Sequence, residues 1–575
     1  MHRPETTPRH SVFFDYEIYP FRRPAEMEGK GERHRVVIVG AGLIGLGIAL
    51  DLARFGIRSV ILESEAQVSH GSRALALTRR TSEILSQIGV VEPFMDHGMA
   101  WTHGDSYYRG RKVYEMVMPR SDDDGFPPAL NLAQQYMEKY LVDYAEASGL
   151  IDLRWQSKVI AAMQGSDGVH LTVDTPEGEY GLDAEWAIAA DGGRSEMRRQ
   201  LGLRLEGNSY AGNFVILDIK ADLGLPPRRQ CHYDPEWNPG NNLLIHRQPE
   251  GMWRLDYKLP EGETAEQALE PERIADRVEK IMAMIGRKVD WELDWATVYT
   301  ANTLTLPDYR CGHVLFAGDA AHLLPIFGVR GANTGFQDEN NLAWKLAYVI
   351  EGRAPLALLD TYSHERVKAA REICEEGGKS TRFMTPQTAG QRLMRDAVLS
   401  LSLSEGFVSD LMNWRTSRPH TYYDSPLNSG TFGVFEGGPD CGEVVRDARL
   451  GGGRFLLGGL SDPGFHLFVF VGETPDPAVK ALLNGAAELP LPPVRVVIGA
   501  DPSTGYAGLA DHLVADRDGR AASRYDAEPG TVYLFRPDMH VCARWREPGL
   551  AGVSAAIETA LGKGLGKGPG RTEDA

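Results

Sequence analysis

The stretch RHRVVIVGAGLIGLGIALDLARFGIRSVILESE, from Arg33 to Glu65, decides the fold. Its continuous apolar run, Val36 to Val39, predicts a strand that is buried on both faces. Leu43 to Phe55 has helical periodicity, Gly56 stops the helix, and a second strand is predicted from Val60 to Leu62. This strand–helix–strand order predicts a Rossmann-like α/β unit.

The turn between the first strand and the helix has the spacing G-x-G-x-x-G, with Gly40, Gly42 and Gly45. The first glycine permits the tight turn, the second lets the backbone approach a pyrophosphate, and the third lets helix pack on strand. Glu63 ends the second strand, where a carboxylate can accept from a ribose 2′-OH and disfavours a 2′-phosphate. The unit is therefore predicted to bind the ADP part of NAD or FAD, and the fingerprint leaves the choice open.

The bulk composition is that of a globular protein of several domains. The chain has 575 residues, 42% of them hydrophobic and 24% charged, which suggests three or four domain-sized units. The formal net charge of −18 argues against nucleic acid or an anionic membrane as a partner. No apolar run approaches the roughly 20 residues of a membrane helix. Residues 1–34 lack an apolar signal-peptide core and are expected to form a flexible extension.

Five cysteines lie far apart and form no C-x-x-C pair. This usage fits a reducing cytoplasm, and it argues against a metal site or a disulfide framework. We therefore expect a cytoplasmic protein with ordinary thiols.

Two further buried strands end in acidic turns. Trp186 to Ala190 leads into Asp191-Gly192, and Val314 to Ala317 leads into Gly318-Asp319. Ligands of open α/β sheets lie beyond such carboxyl ends, so both acids are expected to line one site.

Two polar side chains lie at predicted helix starts. Arg73, after a Gly-Ser turn, could pair with a pyrophosphate, although a solvated arginine is the alternative. Gln134 could hydrogen-bond a ring or ribose edge, although a surface glutamine is the alternative.

Together these segments resemble the single-component, class A flavoprotein aromatic hydroxylases of the para-hydroxybenzoate and phenol hydroxylase family. They are similar in particular to its 3-(3-hydroxyphenyl)propionate hydroxylase-like branch. The resemblance covers roughly Arg35 to Trp545. Its matching segments are GAGLIG, the RA of SRALALTRRTSEIL, Asp191-Gly192 with RSEMR, GDAAHLLPIFG, NTGFQDENNLAWKL, ALLDTYSHER, YDSPL and YLFRPDMHVCARW.

The resemblance implies FAD as the cofactor and NADH or NADPH as a transiently bound cosubstrate without a domain of its own. It places Gly40, Gly42, Gly45 and Glu63 at the ADP end of the FAD. The remaining cofactor positions that it implies are Arg73, Gln134, Asp191 and Asp319, with Pro325, Gly331, Ala332 and Asn333 beside the isoalloxazine.

Residues 204–306 change to alternating, aromatic-rich segments, which predict an antiparallel substrate sheet with one face over the flavin. The pattern does not indicate which face points inward. His322, in the turn that follows the predicted strand Val314 to Ala317, is interpreted as a structural hydrogen-bonding residue. The phenol partners that this region offers are His232, Tyr233, His246 and Tyr257, and the partners for a substrate carboxylate are Arg247 and Arg254.

The C-terminal third begins with charged helices that are expected to brace the catalytic halves. Short strands recur from about Gly453, and the resemblance implies a thioredoxin-like domain there. Because that stretch lacks C-x-x-C, we expect packing or dimerisation, including a possible homodimer, instead of dithiol chemistry. The expected boundaries are 1–34 for the extension, 35–385 for the cofactor and substrate halves, 386–440 for a connection, 441–560 for the thioredoxin-like domain and 561–575 for a flexible tail.

The resemblance implies a monooxygenase that uses NAD(P)H and O2 to hydroxylate a phenolic or related aromatic compound through a flavin C4a-hydroperoxide. Epoxidation or Baeyer–Villiger-like oxygenation of a complex aromatic or polyketide stays open, as does a non-catalytic flavin-binding scaffold. A flavin-dependent halogenase is disfavoured because the chain has no W-x-W segment.

The cofactor turn departs from the family pattern at one point. Where relatives carry Pro-Pro and then Gly-Gln-Gly, this chain has Pro325-Ile326 and Val329-Arg330-Gly331. The missing glycine should stiffen the turn, and Arg330 brings a charge near the flavin or the pocket mouth. We therefore count Pro325 and Arg330 among the catalytic candidates.

Overall fold

The computed structural model describes residues 1–71, 73–325, 327–411 and 418–565. Strands and helices are numbered along the chain. The strands are β1 His34–Val39, β2 Ser59–Leu62, β3 Ala76–Thr78, β4 Met99–Trp101, β5 His103–Tyr108, β6 Arg111–Val117, β7 Ala129–Asn131, β8 Ile151–Arg154, β9 Lys158–Gln164, β10 Val169–Thr175, β11 Gly178–Ala189, β12 Glu206–Ala221, β13 Arg229–Tyr233, β14 Asn242–Arg247, β15 Met252–Lys258, β16 Trp291–Thr305, β17 Arg310–Cys311, β18 Val314–Phe316, β19 His322–Leu323, β20 Gly430–Phe432, β21 His466–Phe470, β22 Val494–Gly499, β23 His512–Ala515, β24 Val532–Phe535 and β25 Val541–Trp545. The helices are α1 Leu43–Arg54, α2 Arg79–Gln87, α3 Glu92–His97, α4 Gln134–Ala147, α5 Glu196–Gln200, α6 Ala265–Ala268, α7 Pro271–Met284, α8 Gly331–Ile350, α9 Ala357–Met384, α10 Ala389–Leu401, α11 Pro477–Ala487, α12 Ser503–Tyr506, α13 Arg520–Arg524 and α14 Leu550–Ala560.

The first sheet contains the predicted dinucleotide unit. Its strand order is β17-β18-β11-β1-β2-β8, and β10 and β9 extend from β11. Strands β18, β11, β1, β2 and β8 run parallel. The apolar end of β1 is buried as its sequence predicts, and α1 packs against α8 and α4. The strand–helix–strand prediction is thus confirmed.

The second sheet has the order β19-β16-β12-β15-β14-β13-β5-β6. The predicted sheet over residues 204–306 is confirmed, but its expected limits are too narrow. Strands β5 and β6, from much earlier in the chain, form its far edge because β5 pairs in parallel with β13. That pairing makes the sheet mixed at one position.

The two faces of the second sheet have different neighbours. Side chains at alternate positions of β12, β14, β15 and β16 pack on α7, where Ile274, Val278 and Ile281 follow a helical spacing. We call this the helix-covered face. The opposite face points toward the first sheet and is called the inner face; it carries Phe214, Asp218, Tyr233, His246, Arg254, Asp256, Trp295 and Tyr299.

The N-terminal extension corrects an expectation. Residues 1–34 contain little regular structure, yet Phe14, Tyr16 and Tyr19 are buried in the core of the first sheet. The Tyr19 ring stacks on Trp155 with centroids 4.2 Å apart. The extension is packed rather than free because these aromatic side chains bury a large apolar area.

The third large sheet, β20-β25-β24-β21-β22-β23, lies near the C-terminus. It shares a core with α8, because Trp344 and Tyr348 pack against Phe465 and its neighbours. Helix α14 ends at Ala560, and residues 566–575 of the predicted tail lie outside the described residues. Among the helices of the described ranges, none is long and apolar enough to cross a membrane.

Candidate functional site

The glycine-rich turn after β1 has the shape that its spacing predicts. A Cβ atom on Gly40 would strike the Ala190 carbonyl, and one on Gly45 would strike the Gly40 carbonyl. At Gly42 the nearest atom to such a Cβ would be Glu138 Oε1, 4.0 Å away, so this glycine borders open space. The turn therefore leaves room for a ligand only where a pyrophosphate is expected.

Glu63 is brought to this turn as predicted. Its Oε2 accepts a hydrogen bond from the Ala41 amide at 2.7 Å, and burial raises the pKa of its carboxyl. A second buried acid, Glu138, was not predicted. It accepts from the Ser69 amide at 2.7 Å and from Gln134 Nε2 at 2.8 Å.

Gln134 uses its amide within the protein. Its Oε1 accepts from the Ala74 amide at 2.8 Å, so the side chain fixes the segment that carries Arg73. Arg73 is exposed, and its backbone carbonyl accepts a hydrogen bond from Arg254 Nη1 at 3.3 Å. The two predicted positions thus lie together beside the second sheet.

The two acidic turns are joined by an arginine that the sequence reasoning missed. Arg198 donates to the Gly193 carbonyl at 2.7 Å and to the Ala320 carbonyl at 2.9 Å. Asp191 Oδ2 accepts from the Met197 amide at 3.0 Å. The expectation that both acids line one region is consistent with this bridge. The segment RSEMR contained the signal, since its second arginine, Arg198, lies in the short helix α5 that follows the Asp-Gly turn.

Asp319 is the acid with access to solvent. Its side chain is partly open to solvent. The surrounding protein nevertheless desolvates the carboxyl and raises its pKa, and the charges of His322, Arg73 and Arg198 oppose that rise. This combination describes a carboxyl group at the bottom of a cleft.

A buried ionic chain supports the cofactor turn, which we define as residues 318–331. Asp338 Oδ2 accepts from the Gly318 amide at 3.1 Å and lies 2.6 Å from His322 Nε2. Its Oδ1 accepts from Arg366 Nε at 2.6 Å. Burial favours the neutral acid, but His322 and Arg366 hold the pKa of Asp338 below its ordinary value. The structural interpretation of His322 agrees with this position.

The side chain of Asn333 is held within the protein. Its Oδ1 accepts from the Thr78 amide at 2.7 Å and from Thr81 Oγ1 at 2.6 Å, and its Nδ2 donates to the Ala76 carbonyl at 2.9 Å. The side chain therefore ties β3 and α2 to α8. Because all its polar atoms are engaged, only the backbone of Asn333 is offered to a ligand.

The unusual part of the cofactor turn is buried under α9. Pro325 is buried and approaches Gly377 so closely that a Cβ there would clash. Arg330 is 5% exposed, and its Nε donates to the Phe327 carbonyl at 3.2 Å. Val329 has a left-handed backbone with φ of 60°, which is strained for a β-branched residue.

The residues around the cleft fit FAD. Gly42 and Arg330 are the N-cap residues of α1 and α8, and neither N-cap side chain hydrogen-bonds the first turn of its helix. Free amide groups at a helix N-terminus bind phosphate or other negative charge. A Cβ at Gly331 would meet no atom within 4 Å, so the start of α8 borders open space. Two such helix ends, with Glu63 and Asp319 beside them, suit the pyrophosphate, ribose, ribityl and ring parts of the cofactor.

The substrate candidates divide between the two faces of the second sheet. His232, Arg247 and Tyr257 lie on the helix-covered side, which contradicts their expected place over the flavin. His232 stacks on Tyr107 at 4.6 Å, Arg247 donates to the Leu225 carbonyl at 2.9 Å, and Tyr257 packs edge-on against Trp237. Their strand positions have the wrong parity, because the side chains of a strand alternate between faces.

Tyr233, His246 and Arg254 lie on the inner face. The Tyr233 hydroxyl donates to Met384 Sδ at 3.0 Å within an apolar cluster. Arg254 forms a bidentate, buried ion pair with Asp218, with distances of 3.0 and 2.8 Å. His246 Nε2 lies 3.9 Å from Asp256 Oδ2 on the neighbouring strand.

The inner face also contains aromatic residues that the sequence reasoning had not selected. Trp295 and Tyr299 are partly exposed toward the cleft. The Tyr299 hydroxyl donates to the Leu324 carbonyl of the cofactor turn at 3.4 Å. Phe214 meets Phe327 of that turn edge-on, with centroids 5.1 Å apart. The inner face therefore contacts the cofactor turn through aromatic side chains.

A separate groove of about 410 Å³ opens between α9 and the paired ends of β12 and β16. Its lining contains both signs of charge, with Arg371, Arg382, Glu206 and Glu375, and no aromatic side chain among the described residues. Sites for planar rings are usually lined by aromatic and apolar side chains, so the inner face with Trp295 and Tyr299 suits an aromatic ring better than this groove.

Comparison with known proteins agrees with this geometry. Residues 33–376 match the model of a family described as the FAD binding domain. The chain belongs to this family. Its match includes the glycine turn, both acidic turns and the second sheet.

Relatives of known function are hydroxylases. The chain is 27% identical over 521 residues to the 3-(3-hydroxy-phenyl)propionate/3-hydroxycinnamic acid hydroxylase of Mycolicibacterium smegmatis, covering 88% of this chain and 89% of that protein. It is 29% identical over 367 residues to the protein of that name from Escherichia coli, covering 63% and 65%.

Solved structures share the fold. The flavin-dependent monooxygenase PieE, in complex with FAD and substrate, has a TM-score of 0.76 at 22% identity and covers 92% of this chain and 99% of its own. Aklavinone-11 hydroxylase with FAD and aklavinone has a TM-score of 0.71 at 25% identity, covering 92% and 100%. The chain is thus an FAD-dependent flavoprotein monooxygenase of the aromatic hydroxylase class.

Proposed function

We propose that this enzyme uses NAD(P)H and O2 to hydroxylate a phenolic compound held between the inner face and the cofactor turn. The observation that carries the proposal is the contact between the inner face and the cofactor turn, through Tyr299 with Leu324 and Phe214 with Phe327. Aromatic side chains at this junction, including the partly exposed Trp295 and Tyr299, can position a planar ring and exclude water. Relatives that act on 3-hydroxyphenyl compounds support the substrate class.

When bound, FAD supplies the redox chemistry, accepting hydride from NAD(P)H and activating O2. The protein residues hold and orient it. The turn at Gly42 would take the pyrophosphate, Glu63 a ribose hydroxyl and Asp319 the ribityl chain. The start of α8, at Gly331 and Ala332, would place its amide dipoles against negative charge on the flavin ring.

Two finer features belong to the same proposal. We propose that residues 441–560 have a thioredoxin-like topology, since β21 lies at the centre of a mixed sheet with helices beside it. Their contribution is structural, because Cys542 is a buried free thiol whose pKa burial raises. We propose a homodimer and a cytoplasmic location as well, the latter from the five free thiols.

The test is a screen of the purified holoenzyme. Phenols should accelerate NADH or NADPH oxidation, and mass spectrometry with isotopically labelled O2 should find one labelled oxygen in the product. Asp319→Ala is the matched variant, and it should release FAD more readily while leaving the fold intact. An FAD-loaded enzyme that no phenol stimulates would contradict the proposal.

A further inference from the structure

Two titratable side chains face each other on the inner face without touching. His246 on β14 and Asp256 on β15 occupy adjacent strands, where His246 pairs with Arg254 and Leu244 pairs with Asp256. His246 Nε2 lies 3.9 Å from Asp256 Oδ2, and each residue is 8% exposed. A direct hydrogen bond requires about 2.7–3.2 Å, so the two groups are separated by a gap.

An oxygen atom does not fit on the line between the two atoms, but beside that line it can lie about 2.8 Å from each of them, an ordinary hydrogen-bond length. A hydroxyl in this position would donate to the carboxylate and accept from the imidazole N–H. The spacing thus suits a group that is donor and acceptor at once.

The two side chains also have unused hydrogen-bonding capacity. Asp256 Oδ1 and His246 Nδ1 are buried and have no hydrogen-bond partner within the described parts of the chain. A buried polar atom without a partner costs roughly 1–3 kcal/mol. The two atoms that face each other, Asp256 Oδ2 and His246 Nε2, are different ones, so a bridging hydroxyl would add bonds to these side chains without satisfying Oδ1 and Nδ1.

The surrounding charges set the protonation states. The charged groups that face the pair are Arg229 on β13, Arg254 on β15 and Asp218 on β12. Burial, with the two arginines, holds the pKa of His246 well below its ordinary value, so its ring is neutral and can donate through Nε2. Burial raises the pKa of Asp256 to about 7 against the opposing charge of Arg254, so its carboxyl titrates near neutrality.

We propose that the hydroxyl group of the substrate bridges Asp256 and His246, and that Asp256 takes its proton. This inference rests on the proposed function and assigns the substrate a free phenolic hydroxyl. In the step, the phenol O–H bond breaks, the proton passes to Asp256 Oδ2, and the electron pair stays on the oxygen as a phenolate. No electrons leave the ring in this step. His246 Nε2–H then donates to the phenolate oxygen and stabilises it.

The substrate class follows from this geometry. A phenol that carries its free hydroxyl can bridge the gap, whereas the matching methyl ether has no proton for Asp256. The phenolate is also the more electron-rich ring, which favours transfer of an electrophilic oxygen. The neighbouring arginines stabilise its negative charge.

The experiment uses the FAD-loaded full chain with three variants, Asp256→Asn, Asp256→Glu and Glu292→Gln. The last is the matched control, because it makes a comparable carboxylate-to-amide change at an exposed position of β16. Bound phenol is titrated with pH, and its phenolate absorption gives the pKa of the ligand. Product formation and NAD(P)H consumption are measured in parallel.

Asp256→Asn should keep its FAD, should bind phenolate only at a pH at least one unit higher than wild type, and should form product about 10²-fold more slowly. Asp256→Glu should recover part of the rate, and Glu292→Gln should behave as wild type. Wild type should bind the methyl ether at least about tenfold more weakly than the phenol, and Asp256→Asn should lose this preference.

An Asp256→Asn enzyme with wild-type ligand pKa and wild-type product rate would overturn the inference. If Asp256→Asn does not fold, the ligand pKa in Asp256→Glu and the methyl-ether comparison in wild type decide it. Failure of the proposed function itself is recognised separately, since wild-type holoenzyme would then respond to no phenol.

Discussion

Arg536 of the C-terminal sheet region donates from Nη1 to Glu365 Oε1 of α9 at 2.6 Å, and both side chains are buried. Arg536 also pairs with Asp538, and Lys345 of α8 reaches Glu365 Oε2 at 2.7 Å. This cluster joins the C-terminal sheet region to the helices that carry the cofactor turn.

Arg536→Met should strongly destabilise the protein, because it leaves two buried carboxylates without their guanidinium. Breaking a buried pair from one side costs about 3–5 kcal/mol. Denaturant unfolding of the holoenzyme should show an earlier transition and earlier FAD release. Arg520→Met, which removes an exposed ion pair with Asp123, should unfold near the wild-type denaturant concentration. Equal midpoints for the two variants would contradict the structural role of the cluster.

Glu339→Gln should stabilise the protein at pH 8. Glu339 on α8 is buried, and its carboxylate oxygens have no hydrogen-bond partner among the described residues, whereas the neighbouring buried Asp51 on α1 is ion-paired with Arg54 at 3.1 Å. Burial and the neighbouring acid raise the pKa of Glu339 well above its ordinary value. Since the folded pKa lies above the unfolded one, ionisation destabilises the folded state at high pH and this penalty fades as the pH falls.

The gain from Glu339→Gln should be roughly 1–3 kcal/mol at pH 8 and should approach zero near pH 4, as measured by urea unfolding across this range. Glu292→Gln is the exposed control and should show no such trend. A gain that grows toward acid pH would disprove the assigned direction.

Val329→Gly should relieve strain in the cofactor turn. Valine at φ of 60° is disfavoured by about 1–2 kcal/mol, whereas glycine adopts this conformation freely. The melting temperature should rise. Val329→Ala, which keeps a Cβ but removes the branch, should give only part of the gain. If the glycine variant melts below wild type, the entropy of the unfolded chain outweighs the strain.

Arg330→Gln should lower the reduction potential of the bound flavin, because a positive charge near the start of α8 favours the reduced, negatively charged ring. The guanidinium is buried under α9 and its charge opposes the burial-raised pKa of Cys374, so it lies inside the protein rather than in solvent. Spectroelectrochemistry of the holoenzyme measures the shift. Arg330→Lys should keep most of the potential; identical values in all three proteins would mean that the charge does not reach the flavin.

Much of the cofactor site follows from short-range sequence. The spacing from Gly40 to Glu63 decides a strand, a turn and a helix whose geometry is local, and the structure reproduces it. The acidic turns at Asp191 and Asp319 could be placed for the same reason, since each ends a buried strand.

The substrate face could not be derived in this way. Whether Tyr257 or Asp256 points to the cleft depends on which side of the sheet α7 covers, and that is a tertiary choice. A shift of one residue exchanges the two faces. The contacts of the Asn333 side chain could not be derived for a related reason, because its partner Thr78 lies 255 residues away.

The bond between Arg80 and the Asp538 carbonyl, at 2.9 Å, spans 458 residues of chain. Arg80 lies in the first turn of α2, which Asn333 ties to the start of α8. The glycine turn, both acidic turns and α8 are all synthesised before residue 538. The nascent chain therefore contains those elements while it still lacks this anchor of α2.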